Sequence, residues 1–224
     1  AVYGLPELFF DEIANTRLVS NPGCYPTATI LGLAPLLHGE CIDAGSIIVD
    51  AKSGVTGAGR TANVATLFSE VNDSFKAYGA SGHRHYPEIA QILQSITSGK
   101  ERKVGLTFIP HLIPMLRGIH TTIYTDQISP DESLESIHDT FRTFYAEKPF
   151  VDILPLGSHP ETRIVKGSNF CRIGIHRAAG SNKLVILSVI DNLVKGAAGQ
   201  AIQNMNIALG IDQATGLLSA PVFP

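Results

Sequence analysis

The residues best equipped for chemistry are one cysteine and, about sixty residues later, two histidines. Cys24 lies in Asn21-Pro22-Gly23-Cys24-Tyr25-Pro26-Thr27, where a short apolar stretch, Leu18-Val19-Ser20, gives way to the helical opening Thr27-Ala28-Thr29-Ile30-Leu31-Gly32-Leu33-Ala34. Pro22-Gly23 breaks the chain between them. A thiol at a helix N-terminus faces unpaired N–H groups and the positive end of the macrodipole, which favour the thiolate and so a nucleophile. The same position also suits a small buried residue in a tight turn.

The histidines stand in Tyr78-Gly79-Ala80-Ser81-Gly82-His83-Arg84-His85-Tyr86-Pro87-Glu88-Ile89. Pro87 fits a first helical turn, and Ile89, Ile92, Leu93 and Ile96 follow at helical spacing, so the histidines precede a helix. In an extended segment His83 and His85 point to one side and Arg84 to the other. Glu88 is near enough in sequence to orient an imidazole. A general acid/base partner for Cys24, an H-x-H metal chelate and a plain surface loop are all compatible with this pattern, and no third or fourth ligand accompanies the pair.

Two further stretches have the composition of ligand walls. Lys52-Ser53-Gly54-Val55-Thr56-Gly57-Ala58-Gly59-Arg60 is the most glycine-dense segment and ends a β-branched buried strand, Ser46 to Ala51. Backbone can approach a ligand closely there, although a turn alone would look the same and the GxxxxGK[ST] phosphate loop is absent. Near the end, Asp191-Asn192-Leu193-Val194-Lys195-Gly196-Ala197-Ala198-Gly199-Gln200-Ala201 passes from a strand into a helix of small residues, suited to contact with a cofactor or with another helix. Arg117, at a strand start, suits an anionic substrate or a backbone carbonyl.

The elements that must hold these groups alternate along the chain. A short helix at Pro6 to Ile13 leads to the strand at Leu18, and the Cys24 helix runs to about Leu37 before His38-Gly39 stops it. Lys103 to His111 and Arg117 to Thr125 are long strands whose alternation suits an antiparallel sheet with one covered face. Ser129-Pro130-Asp131-Glu132-Ser133-Leu134 reads as a capped helix start, with Leu134, Ile137, Phe141, Phe144 and Tyr145 on its apolar face and Lys148-Pro149 as its end. Three strands follow, around Val151–Leu154, Asn169–Ile175 and Leu184–Ile190, before the final helix.

Of 224 residues 44% are hydrophobic, enough for one substantial core, and the net charge is −3. Without a basic patch there is no footprint for nucleic acid, and no apolar run is long enough for a membrane helix. Cys24, Cys41 and Cys171 are odd in number and widely spaced, which points to reduced thiols.

Taken together and in this order, the Asn21–Thr27, Ser53–Arg60, His83–Ile89 and Asp191–Ala201 motifs resemble the N-acetyl-γ-glutamyl-phosphate reductase family of arginine biosynthesis. That family is related to aspartate-semialdehyde dehydrogenase and, more distantly, to glyceraldehyde-3-phosphate dehydrogenase. The resemblance spans nearly all of the chain and implies an α+β fold like the glyceraldehyde-3-phosphate dehydrogenase C-terminal domain, with a mixed, mostly antiparallel sheet and helices on one face. It implies that residues 1–20 end a nucleotide-binding Rossmann domain otherwise largely absent, since no G-x-G-x-x-G lies between a strand and a helix. Residues 21–190 would be the catalytic and dimerisation domain, and 191–224 a helix and tail packing on the nucleotide-binding domain.

The resemblance further implies NADPH-dependent reduction of N-acetyl-γ-glutamyl phosphate to N-acetylglutamate 5-semialdehyde. Cys24 would carry the thioester and His85, or else His83, would be the acid/base, with Glu88 orienting it. Ser53, Gly54, Asn192 and Gly196 would contact the NADP(H) nicotinamide, and Arg84, Arg117 and Arg60 are the candidates for substrate oxyanions. No metal is implied, and the expected assembly is a homodimer or homotetramer in the cytoplasm, or in a plastid for a plant protein. As a partial chain it should have little reductase activity by itself. The rival readings are a cysteine acyltransferase or hydrolase without nicotinamide, and a non-catalytic dimerisation module.

Overall fold

The computed structural model describes residues 1–97 and 103–222. In chain order the strands are β1 (Val2–Tyr3), β2 (Val19–Ser20), β3 (Ile47–Ser53), β4 (Lys76–Ala77), β5 (Leu106–Leu112), β6 (Ile119–Asp126), β7 (Val151–Ile153), β8 (Cys171–Arg177) and β9 (Lys183–Ile190). The helices are α1 (Pro6–Ala14), α2 (Cys24–His38), α3 (Phe68–Val71), α4 (Tyr86–Ile96), α5 (Leu134–Phe144) and α6 (Gly199–Ala208).

α2 organises the rest. From Tyr25 to Leu37 every residue is buried, as expected of a helix that is apolar all round and enclosed by other elements. It lies on β6, β8 and β9 and is flanked by α4 and α5. Pro35 within it cannot donate to the carbonyl one turn back. The Tyr145 hydroxyl makes good that loss, donating to Leu31 O at 2.6 Å, so no buried carbonyl is orphaned there.

The main sheet has seven strands in the order β4-β5-β3-β6-β9-β8-β7. It is mixed and mostly antiparallel, with parallel pairing only between β3 and β5 and between β7 and β8. In β6 burial alternates strictly, Ile119, Thr121, Ile123 and Thr125 facing the helices and His120, Thr122, Tyr124 and Asp126 the other side. The helices cover one face. The two long strands expected at Lys103–His111 and Arg117–Thr125 exist but are not neighbours: β3 lies between them, parallel to one and antiparallel to the other.

Two local expectations need correction. The helix anticipated from Ser129 begins at Leu134, because Ser133 Oγ accepts the Ser136 N–H at 3.1 Å and so is the cap. The histidine segment is a turn rather than an extended strand, with His85 in the right-handed helical region at φ −84° and ψ −13°. Residues 1–20 and 191–222 pack on each other through α1 and α6, closing the two ends of the described chain together.

Gly32 lets α2 press against the sheet, since a β-carbon there would stand 2.7 Å from Ile123 Cδ1. Ile123→Ala should cost about 3 kcal/mol through lost burial and a cavity. Adding Gly32→Ala should recover part of that loss, since its methyl enters the vacated space, so denaturant titrations of the two single variants and the double will be non-additive.

Candidate active site

Cys24 is the first residue of α2, and its N-cap, Gly23, offers no side chain to bind the first N–H groups. Those of Cys24 and Tyr25 are therefore left facing the sulfur, and both pull its pKa down. Burial outweighs them and pushes the Cys24 thiol above its usual value, with Glu88 adding to the rise and Arg84 opposing it. The helix N-terminus thus moderates a thiol instead of producing a resting thiolate, which corrects the sequence expectation.

The cleft at Cys24 has a volume of about 370 Å³ and brings together Ser53, Gly54, Tyr78, His83, Arg84 and His85. The His83 and His85 rings lie 5.0 Å apart, and Tyr25 meets both edge-on. The His85 backbone N–H donates to His83 Nδ1 at 3.2 Å, so a neutral His83 carries its ring proton on Nε2. His85 lies directly behind Gly23, the neighbour of Cys24: a β-carbon on Gly23 would stand 2.6 Å from His85 Nε2. Among the described residues, buried Nδ1 of His85 has no hydrogen-bond partner. Burial, followed by the charges of His83 and Arg84, lowers the His85 pKa to about 4. Burial lowers His83 as well, with Arg84 contributing.

Glu88 does not orient an imidazole. Its Oε1 accepts the Gly23 N–H at 2.9 Å and the Tyr3 hydroxyl at 2.8 Å, so the carboxylate holds the backbone just ahead of Cys24. α4 starts at Tyr86, which carries Glu88 back over the start of α2 and away from His85 Nδ1.

The strap after β9 forms the rear of the site. Asn192 Oδ1 accepts the Gly118 N–H at 2.6 Å and its Nδ2 donates to Thr56 Oγ1 at 3.0 Å, tying the glycine-rich turn to the start of β6. Asn192 stands behind the cleft wall rather than in it. Gly196 presses on Cys24 itself, where a β-carbon would lie 2.8 Å from Cys24 Cβ. Gly54 is equally enclosed, with the Arg117 backbone nitrogen 2.6 Å from a β-carbon built there. Ser53 is buried, and its hydroxyl donates to Gly54 O at 3.0 Å.

The three arginines part company. Arg84 is exposed and lines the cleft. Arg117 Nε stands 2.6 Å from Asp191 Oδ2, a fully buried carboxylate that also accepts the Gly167, Leu193 and Val194 N–H groups. Arg60 is exposed and outside the cleft. Among the described residues no third side chain joins His83 and His85 in a group able to hold a metal.

Sequence reasoning overlooked several lining residues. Tyr25 and Tyr78 share a 2.9 Å hydroxyl contact beside the histidines, and their places directly after Cys24 and at the head of the histidine segment were the available signal. Lys76, Ala65 and Thr66 also reach the cleft. Nothing local marked them, because the chain must fold back from the glycine-rich turn to deliver them.

The model of the semialdehyde dehydrogenase dimerisation domain matches residues 24–192, from the cysteine to the asparagine behind the cleft. The chain belongs to the semialdehyde dehydrogenase family. Among its relatives are the N-acetyl-gamma-glutamyl-phosphate reductases of Laribacter hongkongensis, 56% identical, and Pseudomonas syringae pv. syringae, 54% identical, each over the whole of this chain. The chain spans 64% and 63% of their respective lengths. Solved structures share the fold at low identity. Aspartate semialdehyde dehydrogenase II from Vibrio cholerae, complexed with ASA, has a TM-score of 0.68 at 16% identity, covering 93% of this chain and 68% of that one. A probable aspartate-semialdehyde dehydrogenase from Pseudomonas aeruginosa has a TM-score of 0.64 at 16% identity, covering 89% and 66%.

In this semialdehyde dehydrogenase domain the low His85 pKa has a consequence for stability. Unfolded, the imidazole takes up a proton near pH 6.5, whereas folded it does so only near about 4. Between those values the unfolded state holds more protons, so His85 contributes a stability that is present above pH 6.5 and lost as the pH falls toward 4. Denaturant unfolding of a His85→Gln variant should therefore depend less steeply on pH across that window than the parent. A second variant, Gly23→Ala, should displace the imidazole and slow the alkylation of Cys24, measured by mass spectrometry of the Cys24 peptide.

Proposed function

We propose that the protein reduces N-acetyl-γ-glutamyl phosphate to N-acetylglutamate 5-semialdehyde and phosphate, a step of arginine biosynthesis, through a thioester on Cys24. The observation that carries this reading is Cys24 at an uncapped helix start, sharing one cleft with His85 and His83. The names of relatives 56% and 54% identical over the whole chain support the substrate.

The resting pair is a thiol and a neutral imidazole, given the raised Cys24 and lowered His85 pKa values. As substrate arrives, an imidazole, for which we choose His85 over His83, takes the Cys24 proton. The sulfur attacks the acyl carbon, the C–S bond forms, and the C–O bond to phosphate breaks. A thioester carbonyl accepts hydride more readily than a carboxylate would, which is why a soft nucleophile is needed. The Cys24 backbone N–H lies at the helix start, where it can stabilise the oxyanion of the tetrahedral species. The imidazolium returns its proton to the hemithioacetal oxygen, and the same nitrogen takes it back as the C–S bond breaks and aldehyde leaves.

Bound NADPH would supply the hydride. The cleft wall of Ser53, Gly54, Gly57 and Ala58 fits a flat ring, because it presents small side chains beside Cys24. Asn192 and Gly196 serve that wall and the nucleophile from behind. Arg84 is the arginine placed to meet a substrate oxyanion in two-pronged fashion. Arg117, already paired with Asp191, and Arg60, outside the cleft, are poorer candidates for that role.

We further assign the uncovered sheet face to a second copy, giving a homodimer or a homotetramer built from it. That face carries a partly exposed row of Arg172, His120, Lys52 and His111, in register across the sheet, with Val189 of β9 between Arg172 and His120 already buried. Among the described residues no helix is long and apolar enough to cross a membrane. Free, buried Cys41 and Cys171 support a reducing compartment, the cytoplasm.

In the full-length protein Cys24→Ser should abolish NADPH oxidation with the acyl phosphate, a loss of about 10³-fold or more. A His85→Asn variant should still form some thioester, seen as acylated Cys24 peptide, and reduce it slowly. Near-normal turnover by the Cys24 variant would sink the mechanism.

A further inference from the structure

Between β9 and α6 the chain departs from α-helical geometry. The Gly196 N–H donates to Asp191 O at 3.0 Å and the Ala198 N–H to Leu193 O at 3.0 Å, each reaching back five residues instead of four. A π turn of this kind is disfavoured relative to the α-helix and persists where it positions something. Here it sets two neighbouring residues to different tasks. Gly196 lies against Cys24, close enough that a β-carbon would come within 2.8 Å of Cys24 Cβ and 3.2 Å of its Cα. Lys195, with no exposed surface, turns away into the interior.

A lysine in such a place is expensive to keep unless it is paired. Its Nζ donates to Glu7 Oε1 at 2.6 Å and to Gln203 Oε1 at 2.8 Å, and stands 5.8 Å from the centre of the Phe150 ring. Gln203 is itself fixed, accepting from Asn169 Nδ2 at 3.1 Å and donating to Gln213 Oε1 at 3.0 Å. Packing alone would be served as well by an apolar side chain, so the charge calls for another explanation. It supplies direction: Nζ is pinned to one carboxylate oxygen on α1 and one amide oxygen on α6.

We infer that Lys195 is a positioning residue for Cys24: its ion pair with Glu7 locks the π turn so that Gly196 backs the nucleophile. The inference rests on the reading of Cys24 as the nucleophile. Lys195 and Gly196 share a peptide bond, so a shift of the lysine by a few tenths of an ångström opens the contact behind Cys24. The sulfur then samples directions that do not lead to the acyl carbon, and misalignment of this size is costly to rate. At the other end of the same strap Asn192 holds the glycine-rich wall through Thr56 and Gly118, while Asp191 holds Arg117 and the Gly167 turn. One strap therefore sets both sides of the cleft, and Lys195 is its anchor to α1.

Lys195→Met alone strands the buried Glu7 and will destabilise the protein for that reason. Two other variants of the full-length protein separate stability from position. Lys195→Met/Glu7→Leu removes both charges and keeps the volume filled, whereas Gln203→Met keeps the ion pair and removes one acceptor. Each is measured for melting temperature, for the rate of Cys24 alkylation by iodoacetamide across pH, and for reductase kcat and KM. In variants that melt within a few degrees of the parent, the alkylation plateau at high pH should fall roughly tenfold for the double variant and about two- to threefold for Gln203→Met. The midpoint pH should hold, kcat should fall in parallel and KM should stay within about twofold. A folded double variant with parent-like alkylation overturns the inference. Where the double variant does not fold, parent-like alkylation of Gln203→Met overturns it. Failure of the reductase reading shows differently, as activity retained by Cys24→Ser while alkylation of the parent's Cys24 is unaffected.

Discussion

The hydrogen bond from the Gly23 N–H to Glu88 Oε1, 2.9 Å long, joins the start of the central helix to the start of the helix behind it. Because Glu88 follows His85 by three residues, the same contact brings the histidine turn to Cys24. The Tyr3 hydroxyl completes the carboxylate's shell on one oxygen, so the N-terminal strand is part of the same joint. Gly23 permits it sterically, since any β-carbon there would enter the His85 ring. The contact is charge-assisted and partly buried, the kind of hydrogen bond worth about 1.5–3 kcal/mol, so it can hold a backbone against the entropy of a Pro-Gly break.

Around that joint two effects compete for the Cys24 proton. Helix-start N–H groups favour the thiolate by about 0.3–1 kcal/mol at an exposed site and up to about 2 in a partly buried one. Withdrawal of the sulfur from water opposes them and prevails. The same withdrawal lowers His85, so both members of the pair are neutral at rest. Such a site holds the Cys24 sulfur as a thiol and leaves the His85 imidazole in the form that can accept a proton.

Much of this was legible in the sequence because it was encoded locally. Pro22-Gly23 ahead of an apolar run marks a helix start, and Pro87 with Ile89, Ile92 and Leu93 marks another, so both reactive segments were placed correctly on their elements. The covered sheet face followed from alternation, as β6 shows, whereas the fold class came from the family resemblance of the motifs. What stayed hidden depends on pairing at long range. Glu88 looked like a histidine's partner from sequence distance, and only the crossing of α4 over α2 sends it to Gly23. Arg117 suited an anionic substrate or a backbone carbonyl, and only the return of β9 beside β6 brings Asp191 to it. A π turn leaves no periodic signature at all, so nothing singled Lys195 out within the Asp191–Ala201 segment.

The long-range character of these contacts also says when the site can form. Glu7 and Lys195 are 188 residues apart, and Asn204 reaches Gly4 O across 200. Closing so long a loop costs conformational entropy that only a nearly complete core can offset. The sheet and α2 can gather through nearer pairings such as β8 with β9, whose strands are joined by a short turn. The strap behind Cys24 is complete only where both ends of the described chain meet. A cleft backed by α1, the π turn and α6 has Cys24 supported only while those three elements are docked. Loosening of either end is then felt at the sulfur before it is felt in the core.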